Sequence, residues 1–352
     1  MIAGAIRDQM VKTIKYVKPA AFDSATGLTA QVYQQLQEDF IPAPLVVLHA
    51  PIPDVMAGVW SILRETLLAG DVDRSHKEAI AATVSKTNEC PFCVDAHTVM
   101  LRATSDHDVA DAILHGDYDG IQDPQLRAIV QWVLSNRTTE TTNAVLPPFS
   151  QPEAPEMIGT AITFHYINRM VNIFLGDSLL PLPSVMKGIT YRLYAATEGK
   201  RVVRGLTPGR SLKFLPQTHL PADLSWAAGN PSVAGAFAGF VRAVEAAGER
   251  ILPEPVRVLV DERVQAWKGE TMSMSRRWVE DAVMDIEVMH RAAARLTLLT
   301  ALASYQVDSR IVEDFQSHYP DDEQLIAATA WASLRAARRV GLWLAKPFRM
   351  AV

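Results

Sequence analysis

The chain has little of what staples a protein together, attracts it to nucleic acid or threads it through a membrane. Only two of its 352 residues are cysteine, so no disulfide framework can hold a chain of this size and a buried core must stabilise it. Lys and Arg total 34 against 39 Asp and Glu, a formal charge of −5, and no stretch combines dense basic residues with interleaved aromatics. A nucleic-acid partner is therefore not expected. The amino terminus, MIAGAIRDQMVKTIKYVKPA, carries charges within its first dozen residues and lacks the apolar centre of a signal peptide. No apolar run of about 18 residues follows it. The expectation is a cytoplasmic chain with no membrane partner. A glycine-rich phosphate loop is missing as well, and neither a cofactor nor a metal site is expected.

Strand signals are equally scarce. Segments carrying Ala, Leu, Val and Glu at helical spacing dominate instead, so the chain reads as all-α. Helices are predicted over about 29–40, 53–69, 75–87, 90–103, 107–115, 124–136 and 154–176, with proline-rich breaks at LPPF (146–149) and LLPLP (179–183). A hydrophobic fraction of 49% and a charged fraction of 21% place it among globular rather than disordered chains. Its length allows two domains or one large one.

The second half echoes the first. Pro53, Val55, Arg64, Ala69 and Gly70 recur 178 residues later as Pro231, Val233, Arg242, Ala247 and Gly248. Thr160, Ala161, Arg169, Val171 and Leu175 recur 169 residues later as Thr329, Ala330, Arg338, Val340 and Leu344. The chain divides accordingly into residues 1–184, a basic and weakly periodic connection over 185–220, and a second helical repeat over 221–352. Two unrelated helical halves are the alternative. The positive charge of GKRVVRGLTPGRSLKFLPQTHL (199–220) reads as solvated linker surface.

Both cysteines lie in NECPFCVDAH (88–97). With Asn88 as a cap and Pro91 in the first turn, a helix would start at the first thiol and place Cys90, Cys93 and His97 on one face. Unpaired N–H groups and the macrodipole at a helix amino end favour thiolate over thiol. His97, one turn below Cys93, is within reach as a proton acceptor. Three readings stay open: a redox pair, half of a zinc site, or two inert buried thiols. A zinc site would draw three ligands from one short helix and lacks the usual completing pair.

Glu78 also has two readings. Ser75-x-x-Glu78 has the spacing of a capping box. An antiparallel hairpin joined near Thr87 and Asn88 would instead return the Glu78 carboxylate to His97, to orient the imidazole and help remove the thiol proton. His49 and His165 read as packing histidines. Arg169, repeated as Arg338 where no thiol stands, reads as a cap or an ion pair. The Met and Trp residues of WKGETMSMSRRW (267–278) read as packing.

Glu78, Cys90, Cys93 and His97 reproduce the E-x(11)-C-x-x-C-x-x-x-H pattern of the alkylhydroperoxidase D and carboxymuconolactone decarboxylase superfamily. DRSHKEAIAATVSKTNECPFCVDAHTVML resembles its thiol region and TAITFHYINRMVNIFLG its closing helix. The likeness covers about residues 25–180 and, more faintly, 225–345. It implies an alkylhydroperoxidase D-like helical fold, which the internal repeat marks as duplicated in tandem with a degenerate second copy. It also implies an antioxidant peroxidase that reduces hydroperoxides, assembled as a homo-oligomer, trimer or hexamer. In such an enzyme Cys93 would be the peroxidatic thiolate and Cys90 the resolving thiol, presented to a dithiol reductant such as a lipoyl- or thioredoxin-type protein. His97 would be the base and Glu78 the outer member of the relay. Phe92 stands where some peroxidatic members carry histidine. Lactone decarboxylases of the superfamily keep the fold without the thiol pair, and a redox-gated scaffold is a further alternative. Counting 178 to 180 residues on from Glu78 reaches Val256 or Val258, and from Cys90 reaches Lys268 or Glu270, so the second copy has no thiol.

Overall fold

The computed structural model describes residues 11–41, 43–104, 106–141, 145–178 and 204–348. The LLPLP break and residues 185–203 of the expected connection lie outside them. Among the described residues the only non-helical pairing is an isolated bridge between Ala69 and Leu206. No helix among them is long and apolar enough to cross a membrane.

Each helix predicted in the first half is present, with ends within two residues of expectation. Helix α1 spans Gly27–Asp39 and α2 spans Pro53–Leu63. Pro53 opens α2, where its missing N–H costs nothing. Every residue from Val55 to Leu63 is buried, and α2 then widens into a single π turn, Arg64–Leu68. Neither that turn nor the short helix Pro44–Val47 was foreseen. Helix α3, Arg74–Thr87, starts at Asp73, whose carboxylate accepts the Ser75 N–H at 2.8 Å. Pro91–Ala103 (α4), His107–His115 (α5), Pro124–Ser135 (α6) and Ala154–Phe174 (α7) complete the first half. In the second, α8 spans Pro231–Ile251, α9 Glu254–Ala266, α10 Arg291–Ala303, α11 Ser309–Gln316 and α12 Asp322–Leu344.

The helices that carry the repeated residues lie on one another. Helix α2 packs along α8 and α7 packs along α12, and one apolar core runs through both halves. At the α2–α8 crossing a Cβ added to Gly58 would stand 2.8 Å from the Phe240 Cα. Glycine there lets two backbones meet.

Helix α3 is the hub of the first half, packing against α4, α6 and α7. Its sequence is suited to that place. Ala79, Ala81 and Ala82 are small enough for close approach, and the buried hydroxyls of Thr83 and Ser85 are satisfied by the carbonyls one turn back, at 2.7 and 2.6 Å. A buried ion pair fixes its height on α7: Lys77 Nζ lies 2.8 Å from Glu156 Oε2 and donates to the Ala69 carbonyl. Glu156 also accepts the backbone N–H groups of Asp71 and Val72. Gly70, at φ +104, makes room for this, since a Cβ there would fall 2.2 Å from the same carboxylate. Removing one partner of such a buried pair costs roughly 3–5 kcal/mol.

The described part of the connection is held down. Glu65 accepts the Gly209 N–H and the Ser211 hydroxyl, both at 2.6 Å, while Arg64 pairs with Asp39 and donates to the Thr207 carbonyl. Arg204 and Arg210 are exposed, in line with a solvated basic surface, but residues 207–211 are clamped to α1 and α2.

Candidate active site

The site is built on the turn between α3 and α4. Asn88 ends α3, and Glu89 follows in the left-handed region at φ +53. The Cys90 N–H donates to the Ser85 carbonyl at 3.0 Å and the Glu89 N–H to the Lys86 carbonyl at 3.3 Å, the two bonds of a Schellman ending. Glutamate holds the position glycine usually takes, at a cost of about 1 kcal/mol. Cys90 is thereby the last residue of one helix ending and the N-cap of the next helix, with Pro91 at the first position of α4. The expected cap, Asn88, has another task. Its side-chain amide donates to His165 Nδ1 at 3.1 Å and to Asn168 Oδ1 at 3.0 Å, both on α7.

The hairpin brings all four sequence-chosen residues together. Cys90 and Cys93 are both free and buried, with sulfurs 2.7 Å apart. His97 lies one turn below Cys93 on α4. Its Nδ1 is 2.6 Å from Glu78 Oε2 across the hairpin, and Phe164 meets the ring edge-on at 4.3 Å between centroids. Ser75 and Glu78 do not form a capping box: the cap is Asp73, and the Glu78 carboxylate, 0% exposed, turns inward to His97 and Arg74. Arg74 Nε donates to Glu78 Oε1 at 2.7 Å. Burial pushes the Glu78 pKa up, but Arg74 and His97 outweigh it and hold the group below its ordinary value, so it is a carboxylate at neutral pH. Because the carboxylate can only accept, Nδ1 is the donor nitrogen of the neutral His97 ring, which makes Nε2 its acceptor. Burial raises the Cys90 thiol well above its ordinary pKa, and the adjoining Cys93 adds to this; the Asn168 amide acts in the opposite sense.

Arg74 escaped the sequence reading, although its i, i+4 spacing from Glu78 was a usable signal. Asn88 and Asn168 escaped it as well, and only the packing of α7 on the turn reveals them. His49 is a satisfied packing residue, with Nδ1 on the Leu45 carbonyl at 3.0 Å and Nε2 accepting from the Tyr166 hydroxyl at 2.9 Å. His165 is more than packing, since it braces the turn that carries Cys90. Arg338 forms ion pairs with Asp223 and Glu245. Arg169 donates only to backbone, to the carbonyls of Ala301 and His165 at 2.9 and 2.5 Å. In the 267–278 segment Trp267 is buried, but Met274 is 98% exposed, against expectation. Among the described residues no three His, Cys, Asp or Glu side chains converge as metal ligands would.

Counting a fixed offset misplaced the counterpart of the site in the second half. Val256 lies on α9, which packs on α10 as α6 packs on α3 but comes earlier in the chain. The hairpin that lies on α12 as α3 and α4 lie on α7 is α10–α11. In it Arg295 and Asp314, 19 residues apart like Glu78 and His97, meet at 2.8 Å.

An all-helical chain with a thiol pair on a helical hairpin defines a narrow class. The model of the carboxymuconolactone decarboxylase family matches residues 53–134, from the start of α2 nearly to the end of α6. A Mycobacterium tuberculosis protein named alkyl hydroperoxide reductase is 37% identical over 336 residues, 95% of this chain and 96% of its own length. The chain belongs to the carboxymuconolactone decarboxylase family, and its likeness to the mycobacterial protein runs through both halves.

Proposed function

We propose that this chain is a thiol-dependent peroxidase that reduces hydroperoxides by cycling Cys90 and Cys93 between dithiol and disulfide. The observation that carries the reading is two buried contacts one helical turn apart on α4, the 2.6 Å carboxylate–imidazole bond of Glu78 and His97 and the 2.7 Å contact of the two sulfurs. The name of the mycobacterial relative supports the reaction class.

His97 Nε2 takes the Cys93 proton, and Glu78 stabilises the resulting imidazolium. The thiolate attacks the terminal oxygen of the hydroperoxide. The O–O bond breaks, and the departing alkoxide recovers the proton from His97 as alcohol, leaving Cys93 as a sulfenic acid. Cys90 sulfur then attacks Cys93 sulfur. The S–O bond breaks, hydroxide leaves with the Cys90 proton as water, and the sulfurs close the short distance to a bond of about 2.05 Å. A dithiol reductant, lipoyl- or thioredoxin-type, returns two electrons and two protons and becomes the disulfide.

Peroxide consumption with a dithiol donor tests this. Cys93→Ser is expected to abolish turnover, and Cys90→Ser to stall after one equivalent of peroxide with a trappable sulfenic acid. Full activity in Cys93→Ser would overturn the assignment, and accessible thiols that ignore peroxide would favour a scaffold.

A further inference from the structure

Behind the Cys90 turn lies a cavity of about 50 Å³. Its floor is Asn88 and Glu89, the two residues before Cys90; its walls include His165 and Arg169 of α7, Trp267 and Tyr305. Arg169 is 5% exposed and lies with its guanidinium carbon 5.8 Å from the centre of the Trp267 ring. Two of its nitrogens serve backbone carbonyls. Among the described residues no carboxylate pairs with it, whereas buried Arg64 has two and half-buried Arg74 has one.

An unpaired guanidinium held out of water is costly and is rarely retained without an anion to meet it. Among the described residues the third nitrogen makes no hydrogen bond to the protein, and Arg169 lines the cavity. Beside it His165, whose Nδ1 accepts from Asn88, carries its proton on Nε2 as a second donor. Burial lowers the Arg169 pKa to about 10, which leaves it a cation at neutral pH. Burial, with Arg169 adjoining, keeps His165 neutral. The rim carries Glu89, Glu270 and Arg137, all exposed, where solvent screens them. A volume of 50 Å³ admits three to five water-sized groups, enough for a carboxylate, and Trp267, Leu302 and Tyr305 offer apolar surface to the chain behind it.

We infer that this cavity binds the carboxylate of a small amphipathic acid and seats that molecule against the turn that carries Cys90, so that one substrate of the thiol cycle, the hydroperoxide or the dithiol, is a carboxylic acid. The binding claim stands on the cavity alone; the substrate claim rests on the peroxidase reading.

Calorimetric titration with octanoate and its uncharged analogue octanamide tests the site. Octanoate is expected to bind, octanamide to bind about 30-fold more weakly or not at all, and Arg169→Gln to weaken octanoate by a similar factor. Equal binding of acid and amide, or unchanged octanoate affinity in Arg169→Gln, overturns the site. If Arg169→Gln does not fold, the acid–amide comparison on the natural chain decides alone. Octanoate is then added to each half-reaction. Slowing of thiol loss after peroxide assigns the carboxylate to the hydroperoxide, and slowing of disulfide reduction assigns it to the dithiol. Tight binding that slows neither overturns the link to the thiols. A chain that binds octanoate yet never consumes peroxide would sink the peroxidase reading and leave the site.

Discussion

Replacing Glu78 by glutamine removes a charge and almost no volume, so the geometry dictates what each neighbour does next. The carboxylate accepts at both ends, from Arg74 at 2.7 Å and from His97 Nδ1 at 2.6 Å. An amide has one accepting end and one donating end, and a guanidinium can only donate. The amide oxygen must therefore face Arg74 and its NH2 must face His97, whose Nδ1 becomes the acceptor. The imidazole proton moves to Nε2, and the nitrogen meant to take the Cys93 proton becomes a donor. A misplaced tautomer of this kind in a serine protease triad costs about 10⁴ in turnover, and loss of a general base about 10²–10⁴. The rate of thiol oxidation by peroxide in Glu78→Gln is expected to fall about 10³-fold at pH 7, and to recover partly at high pH as the thiol ionises unaided. Stability should fall by about 1–3 kcal/mol, less than the roughly 3–5 kcal/mol of an abandoned buried ion pair because the amide still bonds both neighbours. Because the folded pKa of Glu78 is depressed, the stabilisation from its charge is present at neutral pH and lost as pH falls through the depressed value. The variant should lack that part of the acid transition. Stopped-flow thiol oxidation and urea unfolding measure both effects. Activity within threefold of the natural chain would refute the relay, and a loss above about 5 kcal/mol would place Glu78 in the fold rather than in the chemistry.

Two further tests probe the scaffold. Burial lowers the His49 pKa to about 3, so it stays neutral in the fold while the unfolded chain takes up a proton below about pH 6.5. The folded state thus loses stability on acidification, by about 1.2 kcal/mol between pH 7 and 5.5 for this residue. His49→Gln should lack that increment in urea unfolding at the two pH values; parallel pH dependence would contradict the neutral assignment. A Cβ at Gly248 would stand 2.3 Å from Trp331 Cδ1 in the α8–α12 contact, whereas one at Gly176 meets nothing within 4 Å. Gly248→Ala should lower stability by about 1–3 kcal/mol and Gly176→Ala by little, and equal denaturation midpoints would show that the contact yields freely.

The first-half helices were legible because their apolar spacing and their proline and aspartate starts are local signals. Glu78, Cys90, Cys93 and His97 were legible for a similar reason: two helices and one tight turn fix their spacing, so a linear pattern encodes a three-dimensional cluster. What stayed hidden depends on packing between elements distant in sequence. Asn168 reaches the turn only because α7 lies across α3. Gly70 reads as one more glycine until Glu156, 86 positions on, fills the space a Cβ would take. The exposed Met274 misled because an apolar residue type says nothing about whether a partner element covers it. Counting along the chain failed in the second half because α9 precedes its hairpin, whereas α6, in the matching place, follows its own.

Set beside the first half, the second half shares the packing of the hairpin but not its site residues. Helix α10 still lies on α12, and Thr300, like Thr83, returns its hydroxyl to the carbonyl one turn back at 2.7 Å, so the hairpin survives as a packing unit. In the second hairpin Arg295 and Asp314 have the spacing of Glu78 and His97, with the cation on the first helix and the carboxylate on the second. An arginine on the hub helix cannot accept a proton, and an aspartate on the second helix would repel a thiolate one turn above it. The Asp314 side chain is 45% exposed and Arg295 is shared with Glu280, which makes the pair a surface clasp of small energetic value. The residues that hold two helices together are therefore separable from those that the proposed mechanism uses to ionise a thiol. The second half keeps the former, packs α8 and α12 against α2 and α7, and so keeps buried the helix that braces the Cys90 turn.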